Sequence, residues 1–82
     1  MAITSAQGLA QALQNQRKSK QLSQQQVAEL AGVKQSTISA FENAPDGSKL
    51  ETLFKLLAAM NLELEVRARN APTIKQEWDQ EW

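Results

Sequence analysis

Between positions 34 and 43 the chain reads Lys-Gln-Ser-Thr-Ile-Ser-Ala-Phe-Glu-Asn, a run rich in amides and hydroxyls. If that run is helical, Ile38 and Phe41, three residues apart, turn inward and leave Lys34, Gln35, Ser36 and Ser39 facing out. Those groups are suited to the edges of base pairs. A glutamine amide bonds adenine N6 and N7 together, and such a pair is worth roughly 1–3 kcal/mol of discrimination. Lys34 suits guanine O6 or N7, or a phosphate, and the two serines permit close approach to either bases or backbone. Gln24 opens the preceding helical segment, where its amide and the free backbone donors of a helix start point at a phosphate. Arg17, Lys18, Thr37 and Asn43 are expected as further phosphate contacts. An ordinary helical hairpin fits the same apolar pattern, but it would normally carry Glu and Lys on its outer face. The Gln and Ser here favour duplex DNA.

Such side chains read bases only if rigid elements hold them. A first helix is expected from Thr4 or Ser5, as N-cap, to about Lys20, with Ala6, Leu9, Ala10, Ala12 and Leu13 inward. Arg17, Lys18 and Lys20 gather at its end, where the helix dipole favours cations. Ser23 with Gln26 forms a capping box, and a short helix runs from there to Gly32. The Lys34–Asn43 helix follows, so two short helices are joined by a glycine-containing turn, the helix-turn-helix pattern. Val27, Ala28, Leu30, Val33, Ile38 and Phe41 are expected to form the wedge between them, with Ala28 small enough for a close crossing. After the turn Asn43–Gly47, Ser48 and Glu51 suggest a second capping box. The helix beyond has Leu50, Leu53, Phe54, Leu56, Leu57 and Met60, apolar over more than one face. It therefore calls for cover from the core on one side and from a second subunit on another.

Residues 62–69, Leu-Glu-Leu-Glu-Val-Arg-Ala-Arg, change to strict alternation, the mark of a half-buried strand. A lone strand leaves its backbone groups unpaired, and the sequence offers no second one. Pairing with the same strand of another copy resolves this, placing Leu62, Leu64, Val66 and Ala68 in a dimer interface. An antiparallel arrangement sets Glu63 and Glu65 against Arg67 and Arg69 of the other copy. Residues 70–82 contain Pro72 and no usable periodicity and read as a flexible tail after a domain of residues 1–69. Both tryptophans, Trp78 and Trp82, lie in that tail. Burying one removes about 150–250 Å² from water, on the order of 4–6 kcal/mol before ordering costs. Docking is therefore expected, either on a partner protein or back on the same domain. The flanking Glu77, Asp79 and Glu81 favour a basic partner surface.

Composition narrows the function classes. The 82 residues make one small domain with nine basic and nine acidic side chains. The balance hides polarity: residues 1–40 carry a net +3 and residues 41–82 a net −3. With no cysteine and no histidine, disulfides, thiolate chemistry and the usual zinc ligand sets are excluded. Tyrosine is absent as well, and the carboxylates fall on outward faces or in the tail, so neither an enzyme nor a cofactor is expected. The start of the chain lacks a basic, apolar leader, and Leu53–Met60 is too short to span a bilayer, so a cytoplasmic location at the nucleoid is expected.

The stretch Leu22–Asn43, LSQQQVAELAGVKQSTISAFEN, resembles the Xre or lambda-repressor-like helix-turn-helix family, and the likeness extends over about residues 5–61. The resemblance implies an all-α bundle of four or five helices, with Gln24 and Gln35 at DNA-contacting positions. KQSTISAFEN, Ala44-Pro45-Asp46, ETLFKLLAAMNLEL, the single strand and the terminal Glu81-Trp82 together resemble the HipB antitoxin branch of that family. That branch implies a dimeric repressor on an inverted-repeat operator with a HipA-type kinase toxin as partner. A stand-alone phage-type regulator and a pure interaction module are the alternatives, and DNA retention at moderate salt separates the second from the rest.

Overall fold

The computed structural model describes residues 2–69, and the tail with Trp78 and Trp82 lies outside them. Helix α1 spans Ala6–Ser19, α2 Gln24–Ala31, α3 Gln35–Asn43 and α4 Leu50–Ala59, with a 3₁₀ turn at Pro45–Gly47. The expected all-α bundle is present, and no helix among the described residues is long and apolar enough to cross a membrane.

Local signals set most of the boundaries. Ser5 caps α1 by accepting from the Gly8 N–H. Ser23 and Gln26 form the expected capping box, Ser23 Oγ accepting from Gln26 N at 3.0 Å and Gln26 Oε1 from Ser23 N at 2.8 Å. The second capping box does not form. The 3₁₀ turn engages the Ser48 N–H, which donates to the Pro45 carbonyl at 3.0 Å. Helix α4 therefore starts one residue later, with Lys49 at the cap and no side-chain acceptor there. Glu51 is left to a long, exposed i,i+4 pair with Lys55. Helix α3 likewise begins after Lys34 without a side-chain cap.

Three helices end in the same way. Gln21, Gly32 and Asn61, with φ of 60°, 73° and 59°, take the left-handed conformation just past α1, α2 and α4. The next residue then closes a wide turn: Leu22 N–H donates to Arg17 O, Val33 to Ala28 O and Leu62 to Leu57 O, at 3.0, 3.0 and 2.8 Å. Leu22, Val33 and Leu62 then fold back onto the core, the hydrophobic contact that accompanies this terminator.

The core joins all four helices: Ala10 and Leu13 of α1, Val27 and Ala28 of α2, Ile38 and Phe41 of α3, and Leu53, Leu56 and Leu57 of α4, with Met60 just beyond. Ala28 is fully enclosed, as a close crossing requires. Leu30 departs from the expected wedge and is 61 % exposed. At 100° per residue it sits about 100° from the centre of the stripe formed by Val27, Ala28 and Ala31. Gln24 falls on that stripe instead and is half-buried. On α4, Leu50 and Phe54 form a second, exposed apolar face, 72 % and 52 % accessible. Residues 62–69 carry no strand in the single chain, and Leu64 and Val66 are exposed.

Candidate nucleic-acid interface

The exposed start of α3 follows directly from the turn geometry. Gly32 ends α2 in a left-handed bend, Val33 anchors the connection, and the chain re-enters a helix at Gln35. Lys34, Gln35 and Ser36 are exposed at this start, while Thr37 and Ser39 are half-buried on its flanks. Asn43, at the exposed end of the helix, donates to Ser39 Oγ at 3.2 Å. The four residues expected to touch bases thus share the first turn and a half of one helix, with Lys34 and Gln35 unobstructed.

Sequence reasoning missed Glu42. Its side chain is only 5 % exposed and lies against Arg17. Arg17 Nε donates to Glu42 Oε2 at 2.7 Å and Nη2 to Oε1 at 3.2 Å. Its remaining nitrogen, Nη1, donates to the Leu22 carbonyl at 2.8 Å. The expectation that Arg17 clamps a phosphate is therefore corrected. Its guanidinium is turned inward with each of its three nitrogens bonded, fastening the end of α1 to the end of α3. The sequence grouped it with Lys18 and Lys20 because cations are ordinary at helix ends. Lys18, the next residue, is exposed and keeps its charge in solvent.

The same carboxylate receives a third bond. Gln24 Nε2 donates to Glu42 Oε1 at 2.9 Å, and Gln24 Oε1 accepts from Gln35 Nε2 at 2.6 Å. A continuous line thus runs from α1 through Glu42 and Gln24 to the exposed amide of Gln35. Networks of this kind hold their members in one arrangement when every group is satisfied, and no buried side-chain polar atom among the described residues lacks a partner. The arrangement groups the amide of Gln35, the amine of Lys34 and the hydroxyls of Ser36 and Ser39 around one helix start. Groups of these kinds can bond base edges in a major groove.

Comparison with known proteins places this architecture. Residues 13–66 match the helix-turn-helix family model. Antitoxin HipB of Escherichia coli O6:H1 is 40% identical over 76 residues, covering 90% of this chain and 81% of the relative. Its counterpart in E. coli K12 is 38% identical over 76 residues, covering 90% of this chain and 86% of that protein. Among solved structures, a chain of a HipA–HipB–O2–O3 complex superposes with a TM-score of 0.83 at 36% identity, over 85% of this chain and 99% of the other. A chain of a HipB–O4 20mer complex gives the same TM-score, identity and coverage. With the helix-turn-helix model matched over residues 13–66 and likeness to these relatives over 90% of its length, the chain belongs to the HipB antitoxin family of helix-turn-helix proteins.

Proposed function

We propose that this protein is a dimeric, sequence-specific DNA-binding repressor that serves as the antitoxin of a HipA-type kinase toxin and represses its own operon. The observation that carries the DNA reading is the exposed first turn of α3, where Gln35 is held by Gln24. Lys34, Gln35, Ser36 and Ser39 read bases. Lys18, Gln24, Thr37 and Asn43 contact phosphates. The related HipB proteins solved with HipA and with O2, O3 or O4 support both partners. A DNA partner in turn implies the cytoplasm and the nucleoid.

The dimer forms through residues 62–69. In an antiparallel register centred on Val66, Glu65 meets Arg67 of the second copy and Glu63 meets its Arg69, while Leu64 faces Ala68. Like charges are separated and the unpaired backbone of both strands is satisfied. The exposed Leu50 and Phe54 give α4 an apolar face suited to the same interface. A two-fold dimer reads half-sites about 34–36 Å apart on an inverted repeat. The unit of residues 1–69 supplies DNA binding and dimerisation, and residues 70–82 carry Trp78 and Trp82 to the toxin.

The test is a native pull-down from the source cells, comparing the full chain with a version ending at Asn70. Recovery of a kinase-like protein by the full chain alone supports the tail as the anchor. Recovery by both moves the toxin interface to the folded body. If neither brings down a protein while both retain DNA, the antitoxin role fails and a stand-alone regulator remains.

A further inference from the structure

We infer that Glu42 sets the direction in which the Gln24 and Gln35 amides point, and thereby makes Gln35 select adenine over guanine. This rests on the DNA reading proposed above. A primary amide has one accepting oxygen and two N–H donors, and rotating it by half a turn exchanges them. Isolated on a surface, Gln35 has no reason to prefer either orientation. The line of hydrogen bonds removes that freedom.

The cause begins at the buried end. A carboxylate only accepts, and the Arg17 guanidinium on the far side only donates, so Glu42 meets its other neighbours as an acceptor. Gln24 must therefore turn its NH₂ towards Glu42 Oε1, which it does at 2.9 Å. Its carbonyl then faces Gln35, which must answer with an N–H, and does so at 2.6 Å. What Gln35 has left for a ligand is its carbonyl oxygen and one N–H on the same edge. That pair complements adenine, which offers the N6 donor and the N7 acceptor. With the line reversed, Gln35 would give its carbonyl to Gln24 and present two N–H donors, which match the O6 and N7 acceptors of guanine. Neither Gln24 nor Glu42 needs to touch the base. Both act as positioning residues through Gln35.

The experiment is selection of bound sequences from a pool of randomised DNA duplexes by the full-length protein and its variants. Gln35→Ala identifies the base position that Gln35 reads. Gln24→Met keeps the Arg17–Glu42 pair but cuts the line. It is expected to lower the adenine-to-guanine preference at that position about tenfold, with other positions unchanged. The double variant Arg17→Met/Glu42→Gln removes the accept-only group without stranding a buried charge. Its neutral amide permits either direction, and the same preference falls. Melting curves on each variant confirm that the fold is retained, and the double variant serves if Gln24→Met does not fold. A uniform loss of affinity with the adenine preference intact would make Gln24 a phosphate contact alone and overturn the inference. If the wild-type protein enriches no sequence, the DNA reading itself fails and the inference falls with it.

Discussion

Replacing Arg17 with methionine tests whether the residue is a structural fastener or a DNA contact. Methionine keeps the length and apolar stem but removes every donor. The Glu42 carboxylate, 5 % exposed, then loses two of its three hydrogen bonds and its counter-charge. The Leu22 carbonyl loses its donor as well. Breaking one side of a buried pair costs about 3–5 kcal/mol, because the remaining charge is stranded. A domain of this size has only about 4–12 kcal/mol of stability in all. At about 4–8 °C per kcal/mol the melting temperature falls on the order of 20 °C. The assay is thermal melting by circular dichroism at one fixed protein concentration, since melting of a dimer depends on concentration. The double variant Arg17→Met/Glu42→Leu should recover at least half the loss, since replacing a whole buried pair with apolar groups is often neutral. Lys18→Ala is the contrasting control: melting is unchanged, while affinity for all DNA drops and the salt dependence flattens by about one unit. A loss below about 1 kcal/mol for Arg17→Met would be the behaviour of an exposed pair. Combined with weakened binding to every sequence, it would refute the reasoning and restore the phosphate role.

The left-handed helix ends and the exposed face of α4 provide two further checks. Gly32→Ala meets no atom within 4 Å of the new Cβ, so its cost is backbone strain alone, about 1–2 kcal/mol. Gln21 sits in the same conformation with a side chain attached, so Gln21→Gly should raise stability by about 0.5–1 kcal/mol; denaturant titration reads both, and equal signs would refute the strain argument. Phe54→Ser should weaken dimerisation at least tenfold, since about half of its side chain awaits cover, which sedimentation equilibrium measures; an unchanged dissociation constant would leave α4 outside the interface.

The sequence made legible whatever rests on neighbours. Ser23 and Gln26 lie three residues apart, and Gly32 marks its own turn, so α2 and the turn after it could be placed from the letters alone. The same local logic misled at Ser48 and Glu51, where the cap signal was real but Pro45–Gly47 engaged the serine's N–H first. It also misled at Leu30, because in a helix of eight residues a stripe of three positions completes the core and a fourth apolar residue has nowhere inward to go. Arg17 and Glu42 stand 25 residues apart, and each has an adequate local explanation, so only the folded packing of α1 on α3 brings them together. Of the interface, the exposed positions Lys34, Gln35 and Ser36 were readable from helical periodicity. The link from Gln35 to Gln24 was not, because it depends on the crossing of two helices rather than on spacing along either.

The helix starts divide the chain into two kinds of segment. Helices α1 and α2 begin on serine side chains that bond their own first turns, whereas α3 and α4 begin on lysines whose side chains form no cap bond. A side-chain cap is worth about 1 kcal/mol and acts before any tertiary contact exists. During folding, α1 and α2 therefore have a local reason to sample helix early. Helices α3 and α4, of nine and ten residues, lack such a cap and must wait for Ile38, Phe41, Leu53 and Leu56 to find the core. Helix α3, on which the proposed base contacts lie, thus has no side-chain cap to start it and relies on the burial of Ile38 and Phe41. Its first turn, with Lys34, Gln35 and Ser36, takes shape only when the core does, so folding and the display of those side chains are coupled.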